Sequence, residues 1–330
     1  MKKRLIMPIQ NIKQNSYQLS SRQLKRNQDN NVLKAKPFLK WAGGKTQLIE
    51  QMVHYFPLAL KQGKIQRYVE PFIGSGAVLF FILQNYPVKE FFISDINEEL
   101  ISVYLTVKEY VDELIAELTR LQLEYHLLTF EKQKNFFYKI RSEFNYNRPT
   151  TDFTRSNIER TAQFIFFNRT GFNGLFRVNN KGDFNVPFGS YKNPTICFTQ
   201  NLQAVSTLLQ NVEIRHGDFT IIQPFINRET FVYFDPPYKP ISPTANFTSY
   251  QKSAFNDESQ IRLANFFQKL DQGGVKLMLS NSDPHNYDQS DNFFHKLFEG
   301  FQINRVFANR MINSKANQRG KINELLITNY

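Results

Sequence analysis

Arg67-Tyr-Val-Glu-Pro-Phe-Ile-Gly-Ser-Gly76, followed by Ala77-Val-Leu-Phe-Phe-Ile-Leu83, carries the first decision about this chain. A short β-prone run, a turn with two glycines one residue apart and an unbroken apolar run spell strand, tight turn and helix. Glycines at that spacing let a backbone turn sharply and approach a ligand closely. The next β-prone run, Glu90-Phe-Phe-Ile-Ser, is closed by Asp95, where a carboxylate can bond both hydroxyls of a ribose. The third glycine of the dinucleotide fingerprint is absent, since Ala77, Val78 and Leu79 follow Gly76. The loop therefore reads either as a nucleotide cradle or as a plain strand-to-helix turn.

The same alternation extends outward. From Glu98, the apolar residues Ile101, Tyr104, Leu105, Val111, Leu114, Ile115 and Leu118 recur at three- and four-residue steps and predict a helix with one buried face. Thr230-Phe-Val-Tyr-Phe predicts a strand, 258–270 a helix, Val275-Lys-Leu-Met-Leu-Ser a strand, and Glu324-Leu-Leu-Ile-Thr a last strand after a polar loop at 313–321. This rhythm predicts an α/β fold, a doubly wound, mostly parallel sheet with helices on both faces. Residues 132–215, rich in Asn, Gly, Arg and Phe, break it and read as an inserted, mainly helical domain. Residues 37–131 and 216–330 then form the sheet domain, and 1–36 a basic, poorly ordered N-terminal extension.

Composition narrows the function classes. The 330 residues carry a net charge of +12, and 33 phenylalanines give ample material for a core. The charge is uneven: +8 in residues 1–36, −4 in 37–131, +7 in 132–215 and +1 in 216–330. Two basic blocks flanking a near-neutral scaffold point to a polyanionic partner. The single Cys197 excludes an intramolecular disulfide and any Cys-based zinc site. His54, His126, His216, His285 and His295 show no ligand spacing, so no metal is expected. The run Ala77–Leu83 is far short of the ~20 residues of a membrane helix, and Pro8, Gln10 and Asn11 break any signal-peptide core after Met1-Lys-Lys-Arg. A soluble, cytoplasmic protein is expected.

Asp235-Pro-Pro-Tyr238 stands at the end of the predicted strand 230–234, where ligands of such sheets gather. Two successive prolines fix φ twice and remove two N–H groups, so their carbonyls stand as acceptors beside a carboxylate. Asp235 and the Pro236 carbonyl can take the two hydrogens of an exocyclic amine, and Tyr238 can stack on the base that carries it. The alternative is a proline turn with no ligand. Asn281 and Asp283, after the strand at 275–280, either line this pocket or cap the next turn. Phe38-Leu-Lys-Trp-Ala-Gly-Gly-Lys45 ends like a phosphate loop but lacks its glycine spacing, and alone decides nothing.

These three motifs, in this order and with a basic insert before Asp-Pro-Pro-Tyr, resemble the amino-methyltransferases of DNA, α group, and most nearly the DNA adenine methyltransferase (Dam) family that modifies GATC. The resemblance spans residues 37–330. Its most specific part is Asn168-Arg-Thr-Gly-Phe-Asn-Gly-Leu-Phe-Arg177 with Gly182-Asp-Phe-Asn-Val-Pro-Phe-Gly189. It implies a Rossmann-like methyltransferase sheet with an inserted DNA-recognition domain. It also implies methyl transfer from S-adenosylmethionine to N6 of adenine in duplex DNA, the base being flipped into the Asp235-Pro236-Pro237-Tyr238 pocket. Cofactor contacts are implied for Trp41, Lys45, Asp95, Asp218 and Asp235, with Glu70, Phe72, Gly74 and Gly76 forming the loop. DNA contacts are implied for Lys40, Asn173, Leu175, Arg177, Pro187 and Tyr191. Arg169, Lys181 and Lys192 are expected on phosphates. Ser190 and Phe172 depart from an arginine and a tyrosine found in relatives. The resemblance implies bacterial or phage origin, and the modification component of a restriction–modification system is expected; whether a cognate endonuclease accompanies it is left open by the sequence, and the genes nearby would settle it.

Overall fold

Each β-run named above alternates between two apolar clusters, one on either face of a single sheet. Tyr68, Phe91, Ile93, Tyr233, Met278 and Leu326 feed one cluster. Their neighbours Val69, Phe92, Val232, Leu277, Leu279, Leu325 and Ile327 feed the other. A sheet buried on both faces reads as a continuous apolar run, as these strands do.

The computed structural model describes residues 34–147, 157–240, 255–309 and 321–330. Residues 1–33 of the expected extension, and the expected polar loop up to residue 320, lie outside them. The strands are β1 (Arg67–Glu70), β2 (Glu90–Asp95), β3 (Val212–His216), β4 (Thr230–Phe234), β5 (Lys276–Ser282), β6 (Gln302–Asn309) and β7 (Lys321–Thr328). Their spatial order is β3-β2-β1-β4-β5-β7-β6. β1 to β5 run parallel, and β7 lies antiparallel between β5 and β6. The doubly wound, mostly parallel α/β sheet read from the sequence is thus present, with an antiparallel edge pair.

The described helices are α1 (Ile49–Tyr55), α2 (Leu58–Lys61), α3 (Ala77–Asn85), α4 (Glu98–Glu109), α5 (Val111–His126), α6 (Phe130–Tyr146), α7 (Ile158–Thr170), α8 (Thr199–Leu209), α9 (Asp257–Gln272) and α10 (Phe293–Leu297). Two differences from the sequence reading have local causes. The single helix expected from Glu98 is two, because Tyr110 leaves the helical region (φ −135°, ψ 40°) between α4 and α5. β3 and β6 were not marked, and both are edge strands of the sheet. β3 buries only Val212 fully, so its apolar signal is thin. α5 to α8, most of which fall in the expected insert, pack their apolar faces into the cluster shared with β1 and β2.

Candidate active site

β1 and β4 are neighbours whose outgoing chains diverge to opposite sides of the sheet order, so a crevice opens at their C-terminal ends. Glu70 ends β1 and Asp235 follows β4, so two of the three motifs meet there. The glycine loop is shaped by its neighbours. Gly74 (φ +46°) lies under Trp41, whose Cδ1 is 2.9 Å from where a Cβ would stand. Gly76 (φ +70°) faces the Tyr104 hydroxyl, 2.7 Å from its own missing Cβ, and that hydroxyl donates to the Gly74 carbonyl at 3.1 Å. We expect Gly76→Ala to lower stability by about 2 kcal/mol, from left-handed strain and the Tyr104 clash. Urea unfolding measures this; an unchanged midpoint would mean that the loop relaxes freely.

Lys45 ties the remaining motif to Asp235. Its ammonium pairs with the Asp235 carboxylate at 2.9 Å and lies 4.6 Å from the Tyr238 ring centroid. It also donates to the Gly43 carbonyl and lies 3.9 Å from Glu324. The Tyr238 hydroxyl donates to Glu324 at 2.6 Å. Burial pushes the Asp235 carboxyl up to about 6, although the Lys45 ammonium pulls it down. Pro236 is buried, Pro237 exposed and Tyr238 half-buried. The loop is braced from behind by the buried side chains of Gln260 and Asn281. Gln260 donates to the Pro237 carbonyl at 3.1 Å and accepts from Asn281 at 3.0 Å. Asn281 accepts from the Lys239 amide at 3.3 Å. Of the two roles open to Asn281 and Asp283, Asn281 supports the pocket. Asp283 caps the next turn, accepting from the His285 amide at 3.1 Å.

Asp95 closes β2 beside the loop, accepting from the Asn97 amide at 2.9 Å and the Gly74 amide at 3.4 Å. Burial pushes its carboxyl up to about 6 against those bonds. Phe72 joins Phe219 and Phe255, each at 5.7 Å, in an aromatic wall. Glu70 is buried under the loop, where it accepts from the Tyr68 hydroxyl at 2.7 Å. Burial holds its carboxyl well above the usual range. Asp218 caps the short helix after β3 and pairs with Arg262 at 2.7 Å. Burial would raise its carboxyl, but Arg262 and Thr220 hold it below the usual value.

The residues read for DNA form a second group. Residues 171–189 fold back as an irregular hairpin, bridged at Gly171–Phe188 and Val178–Phe184. Phe184, Val186 and Phe188 alternate as in a strand and face the core, while Leu175, Arg177 and Pro187, with Asn173 in the short 3-10 turn before them, are exposed. The Arg177 Nε donates to Asn185 at 2.8 Å. The Lys40 ammonium lies 4.7 Å from the Tyr191 ring centroid. Asn168, fully enclosed in α7, clamps these pieces to the Trp41 segment. It accepts from the Lys40 amide at 2.8 Å and donates to the carbonyls of Lys40 at 2.7 Å and Gly174 at 2.8 Å. Arg169 is turned inward, donating to the Phe38 carbonyl and lying over Phe198. Lys181 and Lys192 are exposed. The sequence gives no role to Asn168, although it opens the quoted motif, nor to Gln260 and Glu324. The available signal was their polarity inside apolar surroundings, as with Glu324 ahead of Leu325-Leu-Ile.

Residues 41–312 match the family described as D12 class N6 adenine-specific DNA methyltransferase. The chain belongs to that family. Among curated relatives, the type II methyltransferase M.MjaIII of Methanocaldococcus jannaschii is 55% identical, over 90% of this chain and 100% of its own length. The type II methyltransferase M1.LlaDCHI of Lactococcus lactis is 38% identical, over 91% and 97%. The DNA adenine methylase of Escherichia coli is 32% identical, over 89% and 95%.

A D12 class methyltransferase implies S-adenosylmethionine as methyl donor, and the residues present fit such a group. The Gly74–Gly76 turn packs tightly against Trp41 and Tyr104 at the end of β1, Phe72 and Trp41 offer apolar rings, and Asp95 offers a carboxylate at the end of β2. The family also implies DNA as substrate. Among the described residues no cluster of His, Cys, Asp and Glu fits a metal ion, and no helix is long and apolar enough to cross a membrane.

Proposed function

We propose that this D12 class enzyme transfers a methyl group to N6 of adenine within GATC in duplex DNA, the target base being flipped into the Asp235–Tyr238 pocket. The observation that carries this reading is the meeting of Trp41, Lys45, Gly74, Asp95 and Asp235 around one crevice. S-adenosylmethionine, when bound, supplies a methyl activated on a sulfonium; Trp41, Lys45, Phe72, Gly74, Gly76, Asp95 and Asp218 would hold it. Asp235 and the Pro236 carbonyl accept the two amine hydrogens of the base, which turns the nitrogen lone pair out of the ring. Positioning of that kind supplies a large share of barrier reduction. Lys45, bound to one oxygen of Asp235, fixes the rotation of the carboxylate. Asp235 then holds the proton that the amine loses once it has become cationic. Tyr238 provides the stacking face, because a base inside a duplex cannot reach a buried carboxylate.

Asn173, Leu175, Arg177, Pro187 and Tyr191 with Lys40 read the sequence, while Lys181 and Lys192 meet phosphates; Arg169, turned inward onto the Phe38 carbonyl and Phe198, braces this segment instead of meeting a phosphate as the sequence suggested. The exposure of Lys40, Asn173, Leu175, Arg177, Lys181, Pro187 and Lys192 supports this. The block 132–215 thus serves as the recognition domain. The names of two relatives, type II methyltransferases, support a place as the modification component of a restriction–modification system, acting in the cytoplasm. The test is incubation with S-adenosylmethionine and GATC-containing duplex, followed by a methylation-sensitive GATC nuclease and nucleoside mass analysis. Protected DNA containing N6-methyladenine is expected. Cleavage in full would overturn GATC as target, and N4-methylcytosine would overturn adenine.

A further inference from the structure

Glu324 stands on β7, a strand that no motif marks, opposite Ser282 of β5 and Val306 of β6. The residues after it, Leu325, Leu326 and Ile327, are completely buried. Its own side chain is only 17% exposed and adds a second anion to a pocket that already holds Asp235. Two carboxylates in one poorly solvated site repel, so the position is costly unless its contacts recover the loss. Those contacts are specific. Oε2 accepts from the Tyr238 hydroxyl at 2.6 Å, and the Glu324 carboxylate lies 3.9 Å from the Lys45 ammonium. Glu324 thus touches the two side chains that flank Asp235, without touching Asp235 through a hydrogen bond.

The consequence for each partner differs. A tyrosine ring held only at Cβ can swing and rotate; one held also at its hydroxyl has a fixed plane, and a base stacks on a fixed plane with less entropy to lose. Lys45 has three donor hydrogens, and Gly43, Asp235 and Glu324 supply three acceptors or anions around it. With Glu324 nearby, the ammonium keeps a second counter-charge when the Asp235 carboxylate shares its charge with an incoming amine. We propose that Glu324 is a positioning residue for methyl transfer, fixing the Tyr238 ring and steadying Lys45 so that both present the base to Asp235. This rests on the methyltransferase reading of the pocket and holds for any planar amine that stacks there.

The experiment measures transfer of labelled methyl from S-adenosylmethionine to unmethylated genomic DNA, which registers transfer at any sequence or base. Wild-type turnover tests the functional reading; the ratio of variant to wild type tests Glu324. Glu324→Ala should lower kcat about 20-fold, with KM for S-adenosylmethionine changed less than threefold. Glu324→Gln, which keeps the acceptor and removes the charge, should lower kcat about threefold and guards against a folding defect. Tyr238→Phe should lower kcat about fivefold alone and add nothing to Glu324→Ala, because the two share one hydrogen bond. A second readout is the acid limb of kcat. Asp235 is faced by Lys45, Glu324, Glu70, Tyr68, Tyr233 and Tyr238, and removing the charge of Glu324 should move that limb to lower pH. Additive losses for Tyr238→Phe and Glu324→Ala, or unchanged kcat and an unmoved limb in Glu324→Gln, would overturn the proposal while leaving the methyltransferase reading standing.

Discussion

Asp235→Ala should lower kcat for methyl transfer roughly 10³-fold, within the span that a positioned acid–base group contributes. The carboxylate has two duties in the proposed reaction: it accepts an amine hydrogen, and it holds the proton released after transfer. Alanine removes both and also takes from Lys45, whose side chain is only 3% exposed, its nearest anion, leaving it the Gly43 carbonyl and Glu324 at 3.9 Å. Breaking a buried pair on one side is destabilising by about 3–5 kcal/mol, so the alanine variant mixes catalysis with folding. Asp235→Asn separates them. It keeps one carbonyl acceptor for the amine and a neutral partner for Lys45, and should lose only about 10- to 100-fold. The pH profile adds a direction. Asp235, pushed up to about 6, must be ionised to accept, so kcat at saturating cofactor should be flat above that pH and fall tenfold per unit below it. Asp235→Asn should flatten this limb. Asp95 also stands at about 6, and its limb belongs in the dependence on cofactor concentration, which survives in Asp235→Asn. An unchanged acid limb in that variant would show that another group controls the rate.

The sign of the same shifts bears on stability. Both carboxyls stand above their ordinary values in the folded chain. Their contribution to stability is therefore complete below the unfolded pKa and is lost as pH rises through about 6. At neutral pH the site keeps its carboxylates ionised against the preference of the fold, as expected of groups retained for chemistry.

How much of this was legible in the sequence depended on burial. β1, β2, β4, β5 and the end of β7 are filled from both faces, so their apolar runs stand out from composition alone. β3 and β6 are the sheet edges, half-solvated and polar, and they escaped. Tyr110 broke a helix that periodicity ran through, because its residues keep helical spacing across the break. The glycine loop after β1 and the proline loop after β4 announced themselves through residues whose backbone restrictions are visible in one dimension. Asn168, Gln260 and Glu324 did not, since each acts on a partner distant in the chain: Glu324 reaches Tyr238 and Lys45 only because β7 inserts between β5 and β6. The resemblance to Dam supplied roles for the hairpin residues that spacing alone left open.

Arg177→Ala should reduce preference for GATC over unrelated duplex by about 10- to 100-fold, equivalent to ~1–3 kcal/mol for one bidentate contact to a guanine edge. Arg177 is exposed, as are Asn173, Leu175 and Pro187 of the same hairpin. Its Nε donates to Asn185 at 2.8 Å, which restrains the guanidinium. A guanine edge accepts a guanidinium fork, and a lysine lacks it, so Arg177→Lys should not restore preference. The contrast is Lys192→Ala. An exposed cation on a phosphate adds affinity without sequence information, so this change should weaken binding to all duplexes alike and reduce the salt slope by about 0.9. Binding to GATC and scrambled duplexes at several salt concentrations separates the two. If Arg177→Ala weakens both duplexes equally and also lowers the salt slope, Arg177 is a phosphate contact and sequence is read elsewhere on the hairpin. Asn185→Ala should then be silent; if Arg177 reads a base, loss of its brace should reduce GATC preference in the same direction by a smaller factor, because the guanidinium must be ordered anew on each encounter.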